Sequence, residues 1–231
     1  MIELRPYQNL GGGNHGWLDT RHHFSFADYR DPERVNWGRL RVWNDDLIAA
    51  GTGFDPHPHQ DMEIITYVRE GAITHQDSLG NTGRTEAGDV QVMSAGTGIR
   101  HAEYNRESVP TRLFQIWILP DEKGGAPFWD ARPFPKDDRS GHFVTLASGI
   151  AGDTDALPIR SAARVLGATL KAGQQTEYRL AGRHAYLVPA AGKVTVNGIE
   201  AATGDGIAVE NETVLHVTAS EDAELVLVDT V

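Results

Sequence analysis

The chain has no cysteine among its 231 residues. That absence excludes disulfide bracing, thiolate metal sites and thiol nucleophiles together, so any metal must be held by nitrogen and oxygen. Also missing is any stretch near the roughly 20 apolar residues that span a bilayer. The opening MIELRPYQNLGGGNHGW lacks a basic start followed by an apolar run, so it does not read as a signal peptide, and the expected location is the cytosol. Positive charge is scarce: 21 Lys and Arg against 32 Asp and Glu leave a formal charge of −11. Nonspecific nucleic-acid binding works by neutralising phosphates, and no direct contact of that kind is expected of so acidic a chain. Long helical periodicity is absent as well.

What is present suits a folded β protein. Hydrophobic residues make up 40% of the chain, enough for a core, and 25 Gly and 11 Pro punctuate short apolar runs. Strands are expected at 39–43, 63–69, 72–76, 90–94, 113–119 and 143–148, then at 164–170, 184–188, 193–196, 206–209, 214–218 and 223–228. Most are short, rich in Val, Ile, Tyr and Leu, and end at Gly, Asp, Asn or Pro, the pattern of all-β sandwiches or barrels. The Pro- and Gly-rich segment 120–135 interrupts this rhythm and reads as a connector with aromatic anchors, dividing the chain into units 1–135 and 136–231. Around Gly71 and again around Gly192, an apolar strand, a turn, a second strand and a Gly-Asp pair opening a third follow in the same order, which suggests an internal duplication.

The chemistry concentrates in the first unit. In PHPHQDME, His57 and His59 are two apart, so on an extended segment both imidazoles face one way. In MSAGTGIRHAEYN, His101 and Glu103 repeat that spacing after a Gly-rich turn. Two such pairs on neighbouring strands would make a site of three nitrogens and one oxygen, suited to Fe, Mn, Ni, Cu, Zn or Co. Three neutral imidazoles and one carboxylate leave a divalent ion with net charge near +1, which favours anionic ligands such as an enolate or phenolate. Glu63 is a rival oxygen ligand if 57–63 stays extended, or else a partner that orients a ligand. Glu103 is preferred because it shares a short stretch with His101. His22 and His23, in RHHFSFADY, suit either a flap over the site or a packed N-terminal strand. The other histidines, His75 and His216 among them, are read as ordinary structural residues.

The stretch from Gly53 to Asn105 resembles the cupin double motif. More closely, PHPHQDMEIITYVREG, HQDSLGN, AGDVQVMSAGTGIRHAEYN and HHFSFADY resemble the pirin family of bicupins, strongly in the first half and by architecture in the second. The resemblance implies two tandem cupin-type β-barrels with one divalent metal, usually iron, in the first, held by His57, His59, His101 and Glu103. It also implies either quercetin 2,3-dioxygenase activity or a metal-containing regulatory, redox-sensing role with a protein partner. Another cupin reaction, such as isomerisation of a polar metabolite, is a third reading. For a dioxygenase, the metal would stabilise the anion of an aromatic enol, Glu103 would leave the metal and act as general base, and the anion would react with O2. Ile65, Val92 and Ile116, with Phe24 or Phe26, are candidate pocket walls, ordinary barrel core being the alternative. The second unit has no HxH pair where the first has PHPHQDME, and His216 has no carboxylate two residues on, so that barrel is expected to be metal-free.

Overall fold

The computed structural model describes all 231 residues, and they form an all-β protein of two cupin-type barrels. The only helical elements are single 3-10 turns at Tyr7–Asn9 and Lys136–Arg139, and no helix is long and apolar enough to cross a membrane. Each barrel pairs a seven-stranded sheet with a four-stranded one. In the first large sheet the order is Phe128–Arg132, Val90–Ser94, Glu63–Glu70, Thr111–Ile118, Leu40–Ile48, Leu18–His22 and Gly11–Asn14. In the second it is Ile2–Arg5, Gly206–Val209, His184–Ala191, Ala223–Thr230, Ala163–Leu170, Val144–Ser148 and Leu157–Pro158. The small sheets run Gly53–His59, Ile99–Tyr104, Ala72–Asp77, Thr82–Glu86 and Gln175–Arg179, Val214–Ala219, Lys193–Val196, Ile199–Ala202. The two barrels therefore repeat one topology, as the duplicated pattern suggested.

One edge strand crosses between the halves. Ile2–Arg5, the first strand in the chain, pairs with Gly206–Val209 of the second large sheet. Phe128–Arg132, within the stretch expected to be a connector, pairs with the equivalent strand Val90–Ser94 of the first. Its sequence FWDAR alternates well enough for an edge strand, and the Gly and Pro residues on either side only bound it.

The largest core lies between the two large sheets. Its 22 buried residues come from both barrels, among them Trp43, Tyr67 and Phe114 from the first and Val165, Tyr186 and Val226 from the second. Aromatic rings that each remove ~150–250 Å² from water contribute several kcal/mol apiece at about 25 cal/mol per Å². Charges beside this layer are paired: Arg69 meets Asp45 at 2.7 Å, and Arg139 lies 3.7 Å from Glu224 while donating to the Tyr67 hydroxyl at 2.8 Å. Strand alternation decides what faces this layer. Ile65, Val92, Ile116 and Phe24 all lie here, fully buried, so they are core and not pocket walls. The interior of the second barrel is closed by a separate 17-residue cluster including Leu187, Leu215 and Leu227.

Candidate metal centre

Gly53–His59 is the edge strand of its sheet, the one place where Pro56 and Pro58 cost no ladder hydrogen bond. It lies antiparallel to Ile99–Tyr104, with His101 opposite His57 and Ile99 opposite His59. Between His101 and Glu103 the register shifts, so that Glu103 pairs with Phe54 and one extra residue is absorbed as a bulge. Pro58 is exposed while His57 and His59 turn inward, half-buried. The ligand nitrogens of His57, His59 and His101 lie within 4.8 Å of one another. Glu103, 3% exposed, falls in a second such group with His101 and His75, on the same 4.8 Å criterion. Its carboxylate accepts from Gln91 at 2.6 Å and Thr66 at 3.2 Å on Oε1, and from Gln115 at 2.5 Å on Oε2.

The hydrogen-bond network assigns the tautomers. His57 Nδ1 stands 2.7 Å from the Asp55 carbonyl, which can only accept, so Nδ1 carries the proton and Nε2 a lone pair. His75 Nε2 lies 3.0 Å from an Asp77 carboxylate oxygen, and His75 Nδ1 lies 3.4 Å from His101 Nδ1. The Asp77 carboxylate accepts from His75 Nε2, and His75 Nδ1 accepts from His101 Nδ1, which leaves the His101 Nε2 lone pair facing the site. That nitrogen is 3.1 Å from His57 Nε2. Two lone pairs so close repel each other, and a cation between them turns the repulsion into ligation. Burial and the neighbouring rings push His59 and His101 down to about 3, so both are neutral and able to bind a metal. The donor set fits a divalent ion.

Glu63 lies outside both groups. Its oxygens accept from Ser94 Oγ at 2.8 Å and the Arg160 N–H at 3.1 Å, on the face turned to the second barrel. The parity argument linking it to His57 fails because the chain changes sheets between His59 and Glu63, with Asp61 at φ 49°. His22 and His23 divide. His22 lines the cavity, 3.0 Å from Asn44 and stacked on Phe26 at 5.2 Å. His23 points the other way, 2.9 Å from the Tyr186 hydroxyl, and burial holds it near 3. His216 meets Glu177 at 2.9 Å on the exposed face of the second barrel, in the register that places His101 opposite His57 in the first.

The histidines open into a cavity of about 640 Å³. Phe26, as expected, lines it, and its other apolar walls are Trp17, Leu18, Ala27, Phe54, Ile64 and Trp117, each of the last two one residue from an expected position. Gln91, Gln115, His75 and Asp46 escaped the sequence reading. A polar residue inside an apolar strand was the available signal for the glutamines. HQD, a third His and acid two apart, was the signal for His75. The His75 ring stacks on Trp129 at 4.8 Å with a 6° interplanar angle. Gly83 permits this, since a Cβ there would meet the Trp129 ring at 2.1 Å.

Comparison with known proteins fits this geometry. The Pirin family model matches residues 3–118, and a model described as the quercetinase C-terminal cupin domain matches residues 145–230. The chain belongs to the pirin family. A Pseudomonas aeruginosa relative named, provisionally, a quercetin 2,3-dioxygenase is 68% identical over 99% of both chains. The Escherichia coli K12 protein named quercetin 2,3-dioxygenase is 44% identical over 99% of this chain and 98% of its own. The crystal structure of the Escherichia coli pirin YhhW in complex with nickel(II) superposes with a TM-score of 0.93 at 43% identity, covering 100% of this pirin and 99% of that chain.

One cavity carboxyl of this pirin gives a stability prediction. Asp46 is buried, accepts from Thr20, and is pushed up to about 7, chiefly by burial, with Asp45 and Glu103 also raising it. The folded chain therefore holds a proton there that the unfolded chain releases near pH 4, and stability falls as pH rises from about 4 to about 7. Asp46→Asn removes that penalty. Its melting temperature should match the parent near pH 4 and exceed it near pH 8, by on the order of 1–3 kcal/mol or a few degrees. Parallel melting curves that stay superimposed across this range would refute the assignment.

Proposed function

We propose that this pirin holds one divalent first-row ion, Fe(II) in the first instance, through His57, His59, His101 and Glu103, and cleaves quercetin-like flavonols with O2. The observation behind this reading is the approach of His57 Nε2 and His101 Nε2 to 3.1 Å beside a cavity with aromatic walls, with the other nitrogen of each ring placed to donate elsewhere. Mn, Ni, Cu, Zn or Co would suit the same donors. The ion would supply the Lewis acidity that keeps an enolic oxygen in its anionic form.

The chain supplies the rest. Trp17, Phe54 and Trp117 give flat apolar surface for a planar aromatic substrate, and a cavity near 640 Å³ falls within the usual range for small-molecule sites. The same walls exclude bulk water from the enolate, which strengthens every charge interaction inside. Glu103 receives the enolic proton at a carboxylate oxygen. Gln91 and Gln115, each donating to that carboxylate, hold it in place before and after the transfer.

Chain loaded separately with Fe(II) and Ni(II) should consume one O2 per quercetin, with loss of the flavonol absorbance and release of carbon monoxide. Absorbance that stays unchanged in air with both ions would overturn the dioxygenase reading and leave a metal-containing regulatory protein as the alternative.

A further inference from the structure

A second cavity of about 610 Å³ adjoins the first, and the two share Phe26, Ala27 and Trp117. The partition is the edge-to-face pair Phe26–Trp117, with ring centroids 5.4 Å apart, and Trp117 also packs edge-on against His59 at 5.0 Å. Beyond the partition, Val42, Met62, Pro32 and Val35 add apolar wall, and Arg30 and Arg41 add positive charge.

Arg41 is there by construction. In the pairing of Leu40–Ile48 with Thr111–Ile118, Trp117 faces Val42 and Ile118 faces Leu40, so Arg41 is the extra residue of a bulge. Bulges redirect a side chain away from strand alternation and recur beside binding sites. Ala27, on the partition itself, has φ 48°, a left-handed conformation costly for a residue with a Cβ. Arg41 Nη1 donates to the Ser25 carbonyl at 2.8 Å, and the exposed Arg30 donates through Nη1 to the Ala27 carbonyl and to the Tyr29 carbonyl at 3.0 Å. Neither guanidinium has an ion-pair partner, and their Nε and Nη2 groups meet no protein acceptor. The one acid in the wall, Asp31, is already engaged by the Glu33 N–H at 3.0 Å, the Tyr29 hydroxyl at 3.3 Å and Arg34 at 3.7 Å.

We propose that this second cavity is a binding subsite for an aromatic carboxylate, with the ring against Phe26, Trp117 and Met62 and the carboxylate on Arg41 and Arg30. Planar guanidinium groups with free N–H pairs match a carboxylate two bonds at a time. The walls alone set this ligand class; its tie to the reaction rests on the proposed function. Cleavage of a flavonol breaks C2–C3 and C3–C4, C3 leaves as carbon monoxide, and one oxygen atom of O2 ends on each of C2 and C4. C2 becomes an ester carbonyl and C4 a carboxylate. The product is an aromatic carboxylate and the substrate is not, so the subsite draws product through the partition and away from the metal.

Benzoate and its neutral isostere benzamide, titrated into metal-loaded full chain by tryptophan fluorescence, test this directly. Benzoate should bind at least ~10-fold more tightly than benzamide, and salt should weaken it. Arg41→Met and Arg30→Met together should abolish the preference, and Arg41→Lys, which keeps the charge, should retain most of it. The preference should also persist in His57→Ala, where the primary site is broken. Equal binding of the two probes, a preference that survives both arginine changes, or one lost only with His57 would overturn the proposal. An arginine-dependent preference in a chain that leaves quercetin intact would sink the dioxygenase reading alone. Quercetin cleavage with no preference would sink the subsite alone.

Discussion

Alanine at His101 is expected to cut bound metal from one ion per chain to below about a tenth, and to lower flavonol turnover by about 10³-fold or more, in a chain that still folds. His101 stands at the centre of the site: opposite His57 across the strand pair, 4.9 Å between ring centroids from His59, and 3.4 Å from His75 between the Nδ1 atoms. Its ring packs against those of His57, His59 and His75 alike, so its loss breaks the convergence and does not merely thin it. The effect on stability should have an unusual sign. Truncating a buried side chain normally costs ~2–5 kcal/mol through the cavity left behind. Here the metal-free parent also holds two ring nitrogens 3.1 Å apart, each assigned a lone pair, and the truncation removes that repulsion. Without metal the variant should therefore melt closer to the parent than an ordinary core truncation would; with metal only the parent should gain stability, by mass action. Elemental analysis and melting with and without added ion make the check. A variant that retains a full ion per chain would show that the three imidazoles are not the ligands.

The parts of this fold legible in the sequence were those fixed by local chemistry. Runs such as EIITYVRE and AELVLVDT read as strands, being apolar, rich in β-branched residues and bounded by turn residues. The HxH and HxE pairs carried their geometry with them, because spacing two on a strand means one face. What escaped depended on tertiary position. Ile64 and Ile65 are chemically the same, and only the presence of a second barrel decides that Ile65 is core while Ile64 meets the cavity. Glu63 was ambiguous because parity carries across a segment only while it stays in one sheet. Ile2–Arg5 was invisible as a strand since its partner, Gly206–Val209, lies at the far end of the chain. Arg41 shows the same limit on a smaller scale. Nothing in LRVWNDDLI announces a bulge, which exists only through the register with Thr111–Ile118.

Asn at Asp77 is expected to lower metal affinity by about 10–100-fold, nearly as much as Ala at His75, although neither residue is needed as a ligand. The reason is tautomeric. Burial alone would raise the Asp77 carboxyl, but hydrogen bonds from His75, from Asn81 and from the backbone of Asn81 and Leu79 bring it below the usual carboxylate range, so it accepts from His75 and donates nothing. That direction sets the whole chain, leaving the His101 Nε2 lone pair aimed at His57 Nε2, where the proposed ion would sit. An Asn amide can donate to His75 Nε2 instead. The proton then moves to His75 Nδ1, His75 donates to His101 Nδ1, and His101 must carry its proton on Nε2, where it faces the metal. His75→Ala loses the support without imposing the wrong tautomer, and also leaves the Trp129 face bare. Chelator competition gives the affinities, and imidazole nitrogen shifts in the metal-free chain report which nitrogen of His101 is protonated. Unaltered affinity in Asp77→Asn would defeat the argument. So would two ions per parent chain, because the group His75, His101 and Glu103 would then be a second ligand set and not a support for the first.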